Sequence, residues 1–594
     1  MCMRPAAWPE PDPQIAAAIA AKYTGRRPRP LAVQVRDRLG EWLRDEQFAA
    51  AFGGRGKPGW SPSRLALVTV LQRAENLADR PAAEAVRTRI DWQYLLGLGL
   101  DDPGFDHTVL PEFRARVAGA GLEQVALDAL LGRLTAEGLV KAGGKQRTDS
   151  THVVAAVAAL NRLELAGESV RAAAEALAAA HPAWLEQRIC VADWTRRYGT
   201  PVTSWHPPSS KAKQDELAIA YARDGYALLE AVYAPAAPGW LRELPAVDVL
   251  RRVLVQNYTR TRTGGKEVIR RREKEPDGDG LPPGHMRIAS PYDTDARWGV
   301  KREEFWLGYK LHITETCDDA PPCTCRDAGG DAAVAGAGDS GHDREHGKDC
   351  AHLVFPNLIT SVATTDATVT DNQMTGAIDD GLAGKNLPPA RHYLDSGYLS
   401  AALAVSEAAR HGIALIGPLL ADRSRQARAG AGYDRAGFTI DYDCQAVTCP
   451  QGKISASWTP WTRNGAAAIA TFSAADCGPC PARPQCTASK RNRRQLTILP
   501  RELAQAQAAA RTAGTTLPFQ ADYARRAGVE GTMHQAASHG ARRARYRSLP
   551  KTRLDHVYMA CALNLLRLEA YWNGTPLDRR RTSHLARLEL GLAA

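Results

Sequence analysis

The sequence predicts a mixed α/β protein. A helical layer comes first, then a strand-and-helix core split by a large, mostly helical insertion, then a small cysteine-rich subdomain. Three observations carry this. Strand patterns at 146–157, 305–316, 353–365 and 413–416 alternate with helix patterns at 371–382 and 401–411. A long helical stretch, 160–254, separates the first strand from the second. Cys449, Cys477, Cys480 and Cys486 follow the last of these strands at the spacing C-x27-C-x2-C-x5-C. At 594 residues the chain is too long for one core, and three or more domains are expected.

Residues 1–29 are rich in Pro and Ala and are expected to hold little order. Residues 30–139 read as a helical N-terminal domain. Ser61-Pro62 supplies an N-cap and a first helical position ahead of the apolar run 64–72, and 83–98 and 121–134 look like further amphipathic helices. The core opens at 140–159 with a strand carrying Asp149. The insertion, 160–286, is Ala-rich at 170–180 and ends in a basic, polar connection containing Arg260, Arg262, Arg270, Arg271 and Arg272. The core resumes over 287–443, interrupted by a Gly/Asp-rich loop at 318–352, and one of its strands ends at Asp395. The cysteine-rich subdomain takes 444–490, and a basic helical part, 491–594, carries Glu530. Strand, insertion, two strands, helix, strand, helix, strand is an order that fits an RNase H-like core. Strand ends are where open α/β sheets place ligands.

Three acidic residues stand out. Asp149 lies in Gln146-Arg147-Thr148-Asp149-Ser150-Thr151-His152, and Asp395 ends Arg391-His392-Tyr393-Leu394-Asp395. Glu530 closes Tyr523-x-x-Arg526-x-x-x-Glu530, whose offsets put three side chains on one helix face. Carboxylates are hard ligands for Mg²⁺ or Mn²⁺. Two such ions, about 3.5–4 Å apart, stabilise the attacking and leaving oxygens of an in-line displacement. Arg526 offers the planar fork that grips phosphate, and Tyr523 lies beside it. The plainer alternative is a solvated Arg–Glu pair on a surface helix.

The net charge is +11 with a pI near 9.1. Residues 487–594 hold 19 Lys and Arg against 7 Asp and Glu, so this segment alone exceeds the whole-chain excess. That balance points to a polyanion, with DNA foremost, and makes Arg542, Arg543, Arg545, Arg547 and Lys551 candidate phosphate contacts. There is no GxxxxGK[ST] loop for ATP and no GxSxG nucleophile elbow. No run of about 18 apolar residues suggests a membrane span, and the N-terminus lacks a signal-peptide pattern, so a cytoplasmic protein is expected.

In a reducing compartment four cysteines with one tight CxxC pair suggest a structural Zn²⁺, with Cys444 as an alternative ligand and plain packing as the competing reading. A second group, Cys317, Cys323, Cys325, His342, His346, Cys350 and His352, has ligand types but no standard spacing.

At these residues the chain resembles the DDE transposases of bacterial insertion sequences, in the subgroup with the tyrosine–arginine–glutamate signature. The phrases Thr148-Asp149-Ser150-Thr151, Ser290-Pro291-Tyr292-Asp293, Gly308-Tyr309-Lys310-Leu311-His312 and Val529-Glu530-Gly531-Thr532 add to the likeness, which runs from about residue 30 to the end. The resemblance implies Asp149, Asp395 and Glu530 as a catalytic triad holding two Mg²⁺ or Mn²⁺ ions. It implies cleavage at element ends, strand transfer into target DNA, double-stranded DNA with terminal inverted repeats as partner, a homodimer on DNA, and a nucleoid location. It also assigns DNA binding to the N-terminal helices. The signature often continues with a lysine seven residues after the glutamate; here that position is Ala537. Two alternatives remain: an RNase H-like nuclease without strand transfer, and a transposase-derived DNA-binding protein.

Overall fold

Ser61 caps its helix as its residue type dictates: its side chain accepts the Arg64 amide, and Pro62–Ala74 follows. The structure is a computed structural model describing residues 3–574, apart from 26, 57, 205–207, 265, 274–279, 302, 320–355 and 463–464. Helices Leu31–Leu39, Pro62–Ala74, Asp79–Thr88, Ile90–Leu96, Val109–Gly119 and Val125–Ala136 make the N-terminal layer. The single helix pattern at 83–98 is two helices, because Arg89 is extended between them and its guanidinium reaches back to Asp91. The expected lack of order before residue 30 is wrong. Helix Pro13–Lys22, capped by Asp12, buries Ile15 and Ile19, and the Trp8 indole donates to the Leu43 carbonyl at 2.8 Å. A few large apolar side chains anchor a segment whose composition suggested none.

Strand β1 (Lys145–Val154) is followed by the insertion. Helices Arg162–Ala180, Lys211–Tyr233 and Pro245–Asn257 close on their own apolar core around Val170, Tyr221, Leu228 and Leu250. The basic connection expected at its end is a β-hairpin, β2 (Tyr258–Thr263) and β3 (Lys266–Arg271). Thr259, Thr261, Val268 and Ile269 supply β-branched residues that the arginines obscured.

The main sheet then forms from β4 (Arg297–Lys301), β5 (Glu304–Thr316), β6 (Ile359–Asp366), β7 (Arg391–Tyr393) and β8 (Ala414–Ile416), in the order β4-β5-β1-β7-β8, with β6 also on β5. β1 runs antiparallel to β5 and parallel to β7, and β7 is parallel to β8. Gly308 is required where β5 crosses β1: a Cβ there would lie 2.0 Å from the Val153 carbonyl oxygen. One face is covered by helix Asp371–Gly384, on which helix Ala401–His411 packs. The other is covered by helix Gly528–Ser538, the long helix Leu549–Trp572 and the N-terminal layer.

The layer and the sheet share one core: Leu67, Val70 and Leu131 belong to the same apolar cluster as Leu311, Ile313, Val557 and Leu563. A buried Arg73–Asp555 ion pair joins the layer to helix Leu549–Trp572, which covers the sheet. The expected boundary at residue 139 is therefore not a boundary between cores.

After β8 comes a small module with hairpin β9 (Thr439–Asp441) and β10 (Ala446–Thr448), and a three-stranded sheet β11 (Ser457–Pro460), β12 (Ala468–Thr471) and β13 (Gln495–Ile498). Phe438, Val447, Ala468, Phe472 and Ile498 are its core. No helix among the described residues is long and apolar enough to cross a membrane.

Candidate active site

The parallel register of β1 and β7 makes the site. Arg147 pairs with Tyr393, so two residues further along each strand direction Asp149 and Asp395 stand side by side. The third acid arrives from the C-terminal region, although Tyr523, Arg526 and Glu530 do not share one α-helix. Tyr523 ends helix Leu517–Tyr523, Arg526 lies in a 3₁₀ turn, and Glu530 is in the first turn of helix Gly528–Ser538. The axis stays nearly continuous, and the three side chains still converge.

Arg526 is at the centre. One guanidinium nitrogen lies 3.0 Å from Asp149 Oδ1 and 3.9 Å from Asp395 Oδ2, and the other donates to Glu530 Oε1 at 3.2 Å. Exposure grades outward: the Asp149 side chain is 16% exposed, Asp395 37% and Glu530 67%. Burial raises the Asp149 carboxyl above its ordinary range, with Asp395 adding to the shift; Arg526 and the Ser150 amide oppose it. Burial alone lowers the Arg526 guanidinium, but the acids, led by Asp149, hold it above its usual value. Burial likewise raises the Tyr523 hydroxyl.

The helix bearing Glu530 is fixed by a buried charge cluster that the sequence did not disclose. Glu315 on β5 accepts from Arg147 Nε (2.7 Å), Thr532 Oγ1 (2.5 Å) and Arg567 Nη1 (2.8 Å). Arg147 also donates to the Arg525 carbonyl at 2.6 Å, just before Gly528, where a Cβ would collide with the Arg147 guanidinium. The partners are separated by hundreds of residues, so no local pattern marks them.

On the opposite sheet face lies a second missed pair. Lys310 donates to Asp371 Oδ1 at 3.2 Å, and the Ser150 hydroxyl donates to the same oxygen at 3.2 Å. Asp371 and Asp395 each have an oxygen within 3.2 Å of where a Gly397 Cβ would stand, so Asp371 borders the site. Its position as first residue of a capped helix hid it among ordinary helix-start acids. The Ser290–Asp293 and Gly308–His312 phrases are structural in part: the Tyr309 hydroxyl donates to Asp293 at 2.6 Å, and His312 Nδ1 lies 2.6 Å from the Tyr398 hydroxyl.

The predicted basic cluster divides. Residues 541–548 are irregular, not helical. Arg542 and Arg543 are exposed on the segment whose backbone pairs with Val154 of β1, five residues past Asp149 on the same strand. Arg545 is not free for phosphate: it donates to the Leu77 carbonyl (3.2 Å) and bonds Asn76. Arg547 lies over the Tyr292 ring at 5.3 Å. Lys551 is half-buried in the first turn of Leu549–Trp572. Ala537 is half-buried on helix Gly528–Ser538, and Lys301 on β4 is a cation in electrostatic reach of Asp149.

Cys449, Cys477, Cys480 and Cys486 line one cavity of about 30 Å³ under Phe438 and Phe472. The Lys453 amide donates to the Cys449 sulfur at 3.3 Å. Burial raises the Cys486 thiol, and the other three cysteines push the same way. Cys444 is exposed and does not line the cavity. Cys317 is buried, its thiol pushed up to about 12 by burial; the rest of the second Cys/His group lies outside the described residues. Among the described residues no three His, Cys, Asp or Glu side chains stand close enough together to hold one metal ion.

Two family models match the chain. One, described as a transposase DDE domain, matches residues 448–569 and so includes Tyr523, Arg526 and Glu530. The other, a transposase domain (DUF772), matches residues 22–116, most of the N-terminal layer. No curated protein and no solved structure matches. These matches and the gathered acids define a transposition enzyme whose substrate is DNA. The two matches support a DDE transposase of the insertion-sequence kind.

Proposed function

We propose that the protein cuts DNA at the terminal inverted repeats of its element and joins the freed 3′-ends to target DNA, working as a homodimer on DNA. In this reading the sheet is an RNase H-like core, and Asp149, Asp395 and Glu530 hold two Mg²⁺ or Mn²⁺ ions. The single observation that carries it is Arg526, paired at 3.0, 3.9 and 3.2 Å with three acids from separate parts of the chain. Three hard oxygen donors turned toward one cation fit a divalent ion in chemistry, and they would close on it once the Arg526 guanidinium gives way. Bound there, such ions supply a Lewis-acidic clamp on the attacking and leaving oxygens.

The chain's own residues do the rest. Arg526 counters the acids in the free protein, and its fork is shaped to take a DNA phosphate instead. Tyr523 lines the same approach. Arg147, Glu315 and Arg567 hold Glu530's helix to β1 and β5, so the third acid keeps its place. Arg542, Arg543 and Lys551 take backbone phosphates beside the cleavage point, while the N-terminal layer reads the repeat. Four cysteines lining one small cavity, with a backbone amide on Cys449, suit a structural Zn²⁺ in chemistry, and they would draw together to ligand distance when it binds.

Asp149→Asn, Asp395→Asn and Glu530→Gln each remove a charge with little change in shape. Each is expected to abolish Mg²⁺-dependent cleavage of terminal-repeat DNA while duplex binding stays within a few fold. Near-wild-type cleavage by any one of them removes that residue from the triad.

A further inference from the structure

The cysteine module carries a feature that neither the carboxylate site nor a structural ion explains. Helix Arg425–Ala429, ahead of the module, docks on its cysteine-bearing end. Arg425 Nη2 donates to the Pro484 carbonyl at 3.1 Å and Gln426 Nε2 to the Cys486 carbonyl at 2.8 Å. Arg494 donates to that same carbonyl at 3.0 Å and lies over the Phe438 ring. Thr487 then folds back on the Arg493 carbonyl, and Asn492, at φ +52°, turns the chain between them.

These interactions bring Arg423, Arg428, Arg483, Lys490, Arg491 and Arg493 to one end of the module. Arg423, Arg428, Lys490 and Arg491 are exposed, and Arg483 and Arg493 half-buried. The described ion pairs of this region are Lys453–Asp476 and Arg501–Asp443, and neither uses any of the six. Asp422 is the nearest acid in sequence; it accepts the Ser424 amide and feels Arg511 and Arg435. Over 422–494 there are 11 Lys and Arg against 5 Asp and Glu, so the excess is not cancelled nearby. Cations collected from two segments without counter-ions repel one another, and a polyanion relieves that repulsion.

The module's place in the chain says which polyanion. It lies between the strands that follow Asp395 and the helices that carry Tyr523 and Glu530. Helix Arg501–Gly514, which leaves it, packs on helix Ala401–His411 beside β8. A long polyanion held at the site extends beyond it, and a basic surface on a module joined to the site's own elements is a candidate to meet it.

We infer that this face of the cysteine module binds the DNA backbone away from the cleavage point, as a clamp indifferent to sequence. The inference rests on DNA being the substrate. The test uses the full chain with Arg428, Lys490 and Arg491 changed together to Gln, all three exposed and none of them bracing the fold. Binding to cognate and scrambled duplexes is measured across a salt series, with melting temperature, metal content and oligomeric state as controls. Affinity for both duplexes should fall at least about tenfold, and the slope of log K against log salt should flatten by about 0.9 for each phosphate that is no longer neutralised. Arg423→Gln with Arg428→Gln, outside the cysteine loop, should move the slope the same way by a smaller amount. A changed oligomeric state with an unchanged slope marks the face as a protein interface and overturns the inference, as does an unchanged slope alone. A wild-type chain that binds no duplex overturns the substrate reading and the inference together; a wild type that binds beside a variant with an equal slope overturns the inference only.

Discussion

Asp149, Asp395 and Glu530 meet only when the whole sheet, the C-terminal helices and the N-terminal layer have folded together. Cys449, Cys477, Cys480 and Cys486 meet inside a module with its own strands and its own core around Phe438 and Phe472. The first arrangement depends on long-range register and a buried Arg–Glu–Arg cluster, the second on a few turns. The difference teaches where each is vulnerable. A defect anywhere in the large core should disturb the acids, whereas a defect in the module should stay there.

The sharpest way to break this contrast is Glu315→Ala set against Cys480→Ser. Glu315 is fully buried between Arg147 and Arg567. Removing one partner of a buried charge cluster leaves the others uncompensated, at a cost of about 3–5 kcal/mol. Glu315→Ala should therefore lower the main unfolding transition strongly and abolish cleavage. Cys480→Ser should release a Zn²⁺ otherwise held at about one per chain, and soften only the module, because structural sites of this kind contribute folding energy locally. Calorimetry and metal analysis on both variants decide it. If Cys480→Ser lowers the main transition as far as Glu315→Ala does, the two regions are one cooperative unit.

A medium effect is expected at Arg526. Its guanidinium occupies the space among three carboxylates, so it competes with any cation there. Arg526→Gln should tighten Mn²⁺ binding in the absence of DNA, read by titration calorimetry, while lowering cleavage because the phosphate loses its fork. Unchanged Mn²⁺ affinity would mean that the acids and the ion do not share that space.

Legibility followed the same divide. The helix at 62–74, the strand at 145–154 and the helix at 401–411 were readable because capping residues and apolar periodicity are local. The four cysteines were readable as one group for the same reason. Hairpin β2–β3 was missed because arginines masked its β-branched positions, and β4 because it is short and polar. The order before residue 30 was missed because Trp8, Ile15 and Ile19 find their partners elsewhere. At the acidic site the residue types were legible, but their shared environment was not. Glu315, Asp371 and Lys310 act through partners on other elements, and Arg545, which looked like a phosphate contact, is spent on Asn76 and Leu77. Charge runs show where basic residues are, not which of them the fold consumes.

The smallest expected effect concerns acid. The large core holds two buried histidines whose rings burial keeps neutral: His312, lowered to about 4, and His556, lowered to about 3 with Arg73 adding to the shift. His556 Nδ1 sits 2.7 Å from the Thr364 hydroxyl, at the contact between β6 and the C-terminal helix. In the unfolded chain both protonate near pH 6.5, so below that value the unfolded state binds protons that the folded core refuses. The core's stability is complete above about pH 6.5 and declines as pH falls toward about 4 and then 3. Residues 438–498 contain no histidine, so the module lacks this liability. In metal-free protein, calorimetry at about pH 7 and about pH 5 should show the core transition moving down and the module transition nearly fixed. His556→Gln should remove part of the core's shift. A core transition that does not move between those pH values would mean the buried rings accept their protons in place, and the contrast between the two regions would not extend to acid.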